Sequence, residues 1–331
     1  MRQLVSVLWL MGMAALMPLQ AAEPAFMAPL AAKARLYDLA DGVAVGERGI
    51  VLKAVDGNWQ QQPAPVRTAL LRVVKQGDSR WLLGHEATLL RQQGEQLTIV
   101  TTSAGSDRPL FDVQFVDDRR GYAVGAYGLM LQTLDGGASW QSRQLLELLN
   151  EDDRAFLAEL QAEDPEGYAA ELETILPHFN AIAGNGSGAL VIVGEAGLVV
   201  MSRDNGDSWQ PLDSPYEGSF FTALWVNPDT LLVAGLRGHL YRYELMANRW
   251  TAIPVKGERH INRLQPLDGE RVLALGNAGQ ITVVEWASGQ VHTDMVSDGP
   301  DLFAATVAGN LLTLASSAGL IQHQLVTPEV K

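Results

Sequence analysis

Two short segments of the chain place an Asp carboxylate where it could take part in chemistry. They are Thr133-x-Asp135-x-Gly137-x-Ser139-Trp140 and Ser202-x-Asp204-x-Gly206-x-Ser208-Trp209. An Asp in a Gly-containing turn can accept hydrogen bonds from backbone N–H groups of that turn, and a Trp can pack beneath it. The same carboxylates could instead contact Ca²⁺ or a carbohydrate. The pattern favours a structural turn that locks the edge of a β-sheet.

The sequence offers little support for a catalytic site. A sialidase-like glycosidase needs an Arg cluster, a Tyr/Glu nucleophile pair and an acidic residue for proton transfer. The nearest approximation to its Phe-Arg-Ile-Pro-type segment is Arg35-Leu36-Tyr37-Asp38. Paired carboxylates of another glycosidase could come from any two repeats. We therefore expect no enzyme, with a sialidase-like glycoside hydrolase or a carbohydrate-binding propeller as the alternative.

Metal and cofactor sites are not indicated either. The six histidines do not pair at a metal-binding helical spacing. The glycine-rich run 184–188 lies between predicted strands and not before a helix, so it does not resemble a phosphate-binding loop. The chain has no cysteine, which excludes thiolate ligands and a Cys nucleophile within it. We expect no metal and no cofactor.

A repeat of about 41 residues organises the chain, and its unit is an apolar run, Gly-x-x-Gly, a second apolar run and an Asp/Gly-rich turn closed by Trp. The first glycine of the unit stands at Gly46, Gly84, Gly125, Gly194, Gly235 and Gly276, with Ser316 in the equivalent place. The steps between these positions are 38, 41, 69, 41, 41 and 40 residues. Seven such units, each with about four short strands, predict an all-β, seven-bladed β-propeller with one insertion.

The blades are expected near 35–60, 67–100, 109–143, 179–212, 219–254, 259–294 and 301–326, all within one domain, 23–331. The insertion, 144–178, is predicted to be a helical hairpin. Apolar residues recur at helical spacing over 154–179, and Asp164-Pro165-Glu166 should break the helix in two. This hairpin could be a lid packed on the propeller or a contact arm for a partner.

Charge is concentrated in the same insertion. The formal net charge of the chain is −14, and residues 144–180 carry ten acids and one Arg. The remainder is nearly balanced and lacks the basic face that nucleic acids require. We expect no nucleic-acid partner.

The N-terminal residues 1–22 are predicted to be a signal peptide that directs the chain to the periplasm. Arg2 precedes an apolar run, Leu4 to Leu19, and Gln20-Ala21-Ala22 forms a small-residue cleavage site. An uncleaved membrane anchor is the alternative, and the mature chain should contain no transmembrane span. At the other end, blade 7 supplies only three strands, so we expect 24–32 to add the fourth and close the ring.

The combined pattern, from Gly121-Tyr122-Ala123-Val124-Gly125 to Ser139-Trp140, resembles the Ycf48/Hcf136 family of photosystem II assembly factors, which are Asp-box (BNR-repeat) propellers. The resemblance covers about Arg35 to Val326. It implies a non-catalytic exported propeller that binds a membrane-protein client: a photosystem subunit in photosynthetic members, an RND-type exporter in other bacteria.

In a four-stranded meander, the turn between strands two and three lies on the same face as the link to the next blade. The Gly-x-x-Gly turns should therefore surround the channel on the face that carries the hairpin. Candidate partner-binding residues on this face are Arg48, His85, Glu86, Tyr127, Glu195, Arg237, Asn277, Arg259 and Arg263, together with Glu159 and Glu163 of the hairpin. Arg and Tyr are favoured anchors in protein interfaces. The propeller alone is expected to be a monomer.

Overall fold

A computed structural model describes residues 24–100, 102 and 107–326, and its fold is a seven-bladed β-propeller. Each of the first six blades is a four-stranded antiparallel sheet whose strands follow in chain order, and the seventh has three strands among the described residues. The two α-helices within the same part of the chain lie between blades 3 and 4. The predicted fold class, including the insertion, is confirmed.

Blades 1 to 3 comprise β1 (Leu36–Ala40), β2 (Val43–Gly46), β3 (Val51–Val55), β4 (Asn58–Gln62), β5 (Leu70–Gln76), β6 (Ser79–Gly84), β7 (Leu89–Gln93), β8 (Gln96–Ile99), β9 (Leu110–Phe115), β10 (Gly121–Gly125), β11 (Met130–Thr133) and β12 (Gln141–Ser142). The insertion contains α1 (Glu151–Glu163) and α2 (Pro165–Leu172). Blades 4 and 5 comprise β13 (Phe179–Gly184), β14 (Leu190–Gly194), β15 (Val199–Ser202), β16 (Gln210–Pro211), β17 (Phe220–Asn227), β18 (Thr230–Gly235), β19 (Leu240–Glu244) and β20 (Arg249–Ala252). Blades 6 and 7 comprise β21 (Ile261–Pro266), β22 (Arg271–Gly276), β23 (Gln280–Glu285), β24 (Val291–Met295), β25 (Leu302–Ala308), β26 (Leu311–Ser316) and β27 (Gly319–Gln324).

The second strand of a blade shows why the repeat folds this way. β10 and β14 are buried at every residue, because each such strand is flanked within its sheet and covered on both faces by neighbouring blades. A strand buried on both faces reads as a continuous run of small and apolar residues. The hydrophobic core is accordingly divided among the seams between blades.

Among the described residues, blade 1 and blade 7 share no sheet. Their seam packs Leu36, Leu39 and Leu52 of blade 1 against Ala304 and Ala315 of blade 7. Buried apolar contact between the first and last blades therefore holds the ring closed.

The prediction that 24–32 supplies the fourth strand of blade 7 is wrong. These residues form an irregular segment that ends in a 3-10 turn, Ala31–Lys33. The Ala25 N–H donates to the Ala64 carbonyl (2.9 Å), and the Gln61 side chain bonds both Phe26 and Ala28. Gln61 belongs to β4, so the backbone groups that a fourth strand would need are engaged by blade 1 and the link that follows it.

The helical insertion begins and ends earlier than the apolar spacing predicted. Asn150 caps α1, since its side chain accepts a hydrogen bond from the Asp153 N–H (2.8 Å). Asp164 ends α1 and caps α2, and Pro165 occupies the first position of α2. The expected extension to Phe179 is wrong because Phe179 opens β13, two residues after Pro177. No helix in the described ranges is long and apolar enough to span a membrane; the predicted signal peptide lies outside them.

Candidate functional site

The Gly-x-x-Gly turns and the links between blades lie on one face, which we call the turn face. In blade 3 the Ala126 N–H donates to the carbonyl of Pro109, at the entry to that blade (3.0 Å). The Gly128 N–H donates to the carbonyl of Pro177, at the entry to blade 4 (2.9 Å). The turn is therefore held between two inter-blade links, one of which is the end of the helical insertion.

The predicted partner-binding residues are distributed round the turn face and do not form one patch. Those that are exposed are Arg48, His85, Glu86, Tyr127, Arg237 and Arg259. Glu195 and Asn277 are half-buried. Arg48, Tyr127 and Arg237 each hold the left-handed backbone conformation, with φ of 56°, 51° and 55°. Their side chains are consequently projected from a turn whose shape is fixed by its neighbours.

His178 links two of these residues, Tyr127 and Glu195. Its Nδ1 accepts a hydrogen bond from the Tyr127 N–H (3.1 Å), and the two rings meet edge to face at 4.3 Å. The Glu195 carboxylate accepts a hydrogen bond from the His178 N–H (3.0 Å). His260 has the equivalent role in blade 6, where its Nδ1 accepts from the Arg237 N–H (3.0 Å). The histidine before an inner strand thus caps the turn of the preceding blade.

Arg263 was predicted to lie close to the turn face, and the structure shows where its side chain reaches. It is the third residue of β21 and lies in the central channel, with its Nη2 3.3 Å from Asp38 Oδ1. Each inner strand begins with a β-bulge, here between Ile261 and Arg263. The bulge changes which residues point into the channel, and a strict alternation of side chains does not account for it.

The hairpin is packed onto blades 3 and 4 along one side. Leu157 and Leu176 are buried in the cluster that contains Tyr122 and Trp209. Glu159 and Glu163 are exposed on the other side of α1. The hairpin is therefore a packed lid with a solvated acidic surface, and that surface adjoins the turn face.

The two Asp boxes use their carboxylates within their own turns. Asp135 Oδ1 accepts from the Ser139 N–H (2.9 Å), and Oδ2 accepts from the Ser139 hydroxyl (2.6 Å). Thr133 Oγ1 donates to Asp135 Oδ1 (2.8 Å) and accepts from the Gly137 N–H (2.8 Å). These bonds, led by the Ser139 hydroxyl, lower the pKa of Asp135 to about 2.

The second Asp box repeats this geometry. The Ser208 N–H donates to Asp204 Oδ1 (2.9 Å), its hydroxyl donates to Oδ2 (2.6 Å), and the pKa of Asp204 is about 2. Trp140 and Trp209 are buried, with exposures of 2% and 3%. Each box glycine lies against an aromatic ring of the preceding blade: a Cβ on Gly137 would approach Trp81 to 2.2 Å, and one on Gly206 would approach Tyr122 to 2.4 Å. The boxes therefore lock adjacent blades together, and the described residues contain no cluster of potential metal ligands.

A polar network in the channel was missed by sequence reasoning. Arg72 Nε lies 2.7 Å from Asp112 Oδ1, and its Nη1 lies 3.4 Å from Asp38 Oδ2. The same carboxylates accept backbone N–H groups of the next blade, Val73 for Asp38 (2.9 Å) and Ile182 for Asp112 (3.2 Å). The available signal was an Asp at the third position of two mainly apolar inner strands.

Burial sets the electrostatics of this network. Asp38 and Asp112 are 1% and 5% exposed, and desolvation raises the pKa of both carboxyls while Arg72 opposes that rise. A cavity of about 250 Å³ adjoins Arg72, Asp112 and Arg263. Both carboxylates are occupied by Arg72 and by backbone donors, so the arrangement joins blades 1, 2, 3, 4 and 6 and leaves neither acid free as a general base.

The seven-bladed fold and the two Asp boxes are typical of a BNR-type β-propeller. Comparison with known proteins shows which propellers of this type the chain resembles. The family model "Photosynthesis system II assembly factor YCF48" matches residues 93–186. A segment of 42 residues is 52% identical to the photosystem II assembly lipoprotein Ycf48 of Prochlorococcus marinus. That segment spans 13% of this chain and 12% of the relative. These matches confirm the predicted resemblance to Ycf48 over that part of the chain.

Solved structures agree with the fold over nearly the whole chain. A structure described as YCF48 bound to D1 peptide has a TM-score of 0.64 at 14% identity, covering 89% of this chain and 94% of that one. YCF48 from Cyanidioschyzon merolae has a TM-score of 0.65 at 16% identity, covering 92% and 99%. The WD40 propeller domain of Doa1 reaches 0.63 at 8% identity, covering 87% and 92%. Structural likeness at 8%, 14% or 16% sequence identity establishes the propeller fold. Function has to be argued from individual residues.

Proposed function

We propose that this chain is an exported, non-catalytic assembly or accessory scaffold that binds a membrane-protein client on its turn face. The observation that carries the proposal is that exposed Arg48, Arg237 and Arg259, spread round the ring, lie on the same face as the links between blades, one of which is the acidic hairpin. Arg residues on rigid turns and acids on a packed helix offer complementary charges to a client at little conformational cost. The likeness to Ycf48, one structure of which carries a D1 peptide, supports this class of role.

The identity of the client is a separate question with two candidates. A photosystem subunit is the client suggested by the Ycf48 likeness, and an RND-type exporter is the client that the resemblance implies for non-photosynthetic bacteria. Crosslinking in the native cells followed by mass spectrometry separates them. A soluble protein as the main adduct, with neither class recovered, contradicts the proposal.

Charge reversal locates the docking face. The paired change Arg48→Glu with Arg237→Glu, and separately Glu159→Lys with Glu163→Lys, should reduce client recovery. Because all four side chains are exposed, each change should alter the free energy of unfolding by only about 0.5 kcal/mol. The matched control is Asp78→Lys with Asp118→Lys, exposed residues in first-to-second-strand turns on the opposite face. Loss of recovery with the control alone would place the client on that face.

Two further assays test the rest of the proposal. The mature N-terminus should lie near Glu23 in protein recovered from the periplasm, and a cytoplasmic protein beginning at Met1 would contradict export. Pure protein should not hydrolyse a sialoside or a glucan. Hydrolysis that is lost on changing channel or turn-face carboxylates would favour the glycosidase alternative.

A further inference from the structure

Three large apolar side chains are exposed close together at the start of the described chain. Phe26, Met27 and Leu30 are 68%, 58% and 73% exposed. Within the described ranges, no other five consecutive residues expose three large apolar side chains. Single exposed apolar residues are ordinary on a protein surface, whereas a group of them marks an interaction site. This segment is therefore a candidate contact surface.

The backbone beneath these side chains is held in place. The Phe26 carbonyl accepts a hydrogen bond from the Gln61 side-chain amide (2.8 Å), and the Ala28 N–H donates to Gln61 Oε1 (2.7 Å). The Lys33 N–H donates to the Leu30 carbonyl (2.8 Å). These bonds use main-chain groups and leave the apolar side chains in solvent. A partner that contacts them has little chain to order, which lowers the entropic cost of binding.

Both ends of this segment meet the turn face. A Cβ on Gly49, which closes the Gly-x-x-Gly turn of blade 1, would approach the Ala25 Cβ to 3.2 Å. A Cβ on Gly319, at the equivalent turn of blade 7, would collide with the Ala32 carbonyl. The segment therefore runs along the rim of the turn face beside blades 1 and 7.

Basic side chains accompany the apolar ones. The Arg67 guanidinium lies over the Phe26 ring at 4.0 Å, and its Nε donates to the Pro24 carbonyl (2.8 Å). The Arg35 carbonyl accepts from the Glu47 N–H (3.0 Å), which places Arg35 beside the blade 1 turn. The exposed basic residues of this region are Lys33, Arg35, Arg48 and Arg67. Together with Phe26, Met27 and Leu30, they form what we call the blade 1 patch.

The charge of the blade 1 patch is opposite in sign to that of the whole chain, which has a net charge of −14. Four basic residues and one acid, the half-buried Glu47, lie in the three segments that form the patch, 24–35, 46–49 and 63–69. Two acids flank it, Glu86 in the blade 2 turn and Asp301 in the link before blade 7. The excess of positive charge between them favours an anionic partner.

A bilayer with anionic headgroups offers both kinds of contact. Apolar side chains gain from burial at the boundary between headgroups and acyl chains, and each Lys or Arg near the surface adds attraction to anionic lipid. The place of the patch in the chain agrees with this partner. Pro24 lies two residues after the predicted signal peptide, 1–22, so the patch is the first part of the propeller behind a peptide that is predicted to enter the membrane.

We propose that the blade 1 patch binds the surface of a bilayer that contains anionic lipids. Phe26, Met27 and Leu30 enter the boundary between headgroups and acyl chains, and the four basic side chains contact lipid phosphates. The acidic hairpin lies between blades 3 and 4, on another part of the rim, which keeps its charge away from the patch. The contact requires no client, so this proposal and the proposed function can fail separately.

Cosedimentation with lipid vesicles tests the proposal. The chain beginning at Glu23 is used, because it keeps every described residue and lacks the apolar run Leu4 to Leu19. Its partition coefficient should be at least about tenfold higher on vesicles with about 30% phosphatidylglycerol in phosphatidylcholine than on phosphatidylcholine alone. Salt at about 0.5 M should reduce it, because salt screens charges at the surface. Equal partition onto the two kinds of vesicle, or none onto either, overturns the proposal.

Paired substitutions test the apolar contact. Phe26→Ser with Leu30→Ser should lower the partition coefficient on anionic vesicles by at least about tenfold. Leu134→Ser with Met246→Ser is the matched control, since both side chains are exposed elsewhere, and it should bind as the parent does. All four side chains are exposed, so both variants should keep the melting temperature of the parent. Equal partition of the two variants contradicts a contact through the patch.

A second pair of variants tests the charges. Lys33→Gln with Arg35→Gln should lower the partition coefficient by about tenfold. The matched control is Lys256→Gln with Arg259→Gln, which removes two exposed basic residues from the link between blades 5 and 6 on the same face. Equal losses in these two variants would mean that binding follows the net charge of the chain and not the patch, which overturns the proposal.

The absence of cysteine allows one introduced thiol to report which side of the propeller meets the lipid. An environment-sensitive dye on Met27→Cys should shift its emission to shorter wavelength when anionic vesicles are added. The same dye on Met246→Cys, in the turn between β19 and β20, should show no shift. A shift at Met246→Cys alone would place another surface against the bilayer.

Other occupants of the patch give different results. If dimers form without vesicles and disappear in Phe26→Ser with Leu30→Ser, a second copy of the chain covers the patch. If that variant loses client recovery from detergent-solubilised membranes while the parent does not bind vesicles, the client covers it. Either result overturns the proposal. Arg237→Glu, on blade 5 of the same face, should leave vesicle partition unchanged, which separates lipid contact from client binding.

Discussion

At the scale of single residues, the Asp boxes show how a conspicuous carboxylate can be wholly structural. Asp135 receives three hydrogen bonds from its own turn, through the Ser139 N–H and the hydroxyls of Ser139 and Thr133. A carboxylate so engaged has little capacity left for a metal or a sugar. An Asp side chain is a common catalytic or metal-binding group, but here Thr133 and Ser139, two residues before and four after it, hold Asp135 in a structural turn.

The lowered pKa of Asp135 gives this interaction a pH dependence. A folded-state pKa of about 2, below the ordinary value of 3.8, means that the stabilisation is complete above pH 3.8 and is lost as the pH falls through about 2. Asp135→Asn should therefore lower the melting temperature at neutral pH, and its deficit should shrink as the pH approaches 2. Thermal unfolding of the parent protein and of Asp135→Asn between neutral pH and about pH 2 measures this difference in melting temperature. Ser139→Ala should reproduce part of the effect, and a deficit that is constant with pH would contradict the assignment.

At the scale of elements, the hairpin shows how packing separates two adjacent apolar residues. The helical spacing assigns both Phe156 and Leu157 to one apolar stripe. In the structure Leu157 is 4% exposed against blades 3 and 4, while Phe156 is 47% exposed. The side of α1 that packs is set by the blades beneath it, and the sequence of the helix does not encode their position.

This difference predicts unequal costs for two neighbouring substitutions. Leu157→Ala should reduce the free energy of unfolding by about 2–5 kcal/mol, because it leaves a cavity between the hairpin and blades 3 and 4. Phe156→Ala should change it by only about 0.5 kcal/mol. Chemical denaturation of the two variants provides the comparison, and each serves as the control for the other. Equal costs would mean that the hairpin packs in another orientation.

Much of the propeller could be predicted because its signals are local and repeated. Gly125 and Gly128 mark a turn, Trp140 closes another, and the 69-residue step locates the insertion. The closing contact between blades 1 and 7 was beyond prediction, since Leu36 and Ala315 are distant in sequence and carry no paired signal. The entry of Arg263 into the channel was beyond prediction for a related reason, because it depends on a bulge at the start of β21.

At the scale of the whole molecule, the inner strands hold the ring together through polar groups. Asp38 accepts from Val73 in the next blade, Asp112 accepts from Ile182, and the Thr222 hydroxyl accepts from the Leu264 N–H (3.1 Å). The first three blades are further joined by Arg72, and blade 6 reaches blade 1 through Arg263. The ring, whose described residues form no shared sheet between blades 1 and 7, thus gains cross-links at its centre.

Removing the central cation should therefore destabilise the entire ring. Arg72→Met leaves Asp38 and Asp112 buried without that partner, and breaking a buried pair typically costs about 3–5 kcal/mol. Arg263→Met should cost less, because Arg72 still pairs with Asp38. Urea denaturation monitored by tryptophan fluorescence measures both losses.

The pH dependence of Arg72→Met separates a charge effect from a packing effect. Burial raises the pKa of both carboxyls, and loss of Arg72 removes the group that opposes that rise. The folded state then binds protons more tightly than the unfolded state, so the penalty is present above the folded pKa and relieved as the pH falls through it. The deficit of Arg72→Met should thus be larger near about pH 8 than near about pH 5. An equal deficit at both would mean that Arg72 stabilises the channel only by filling space.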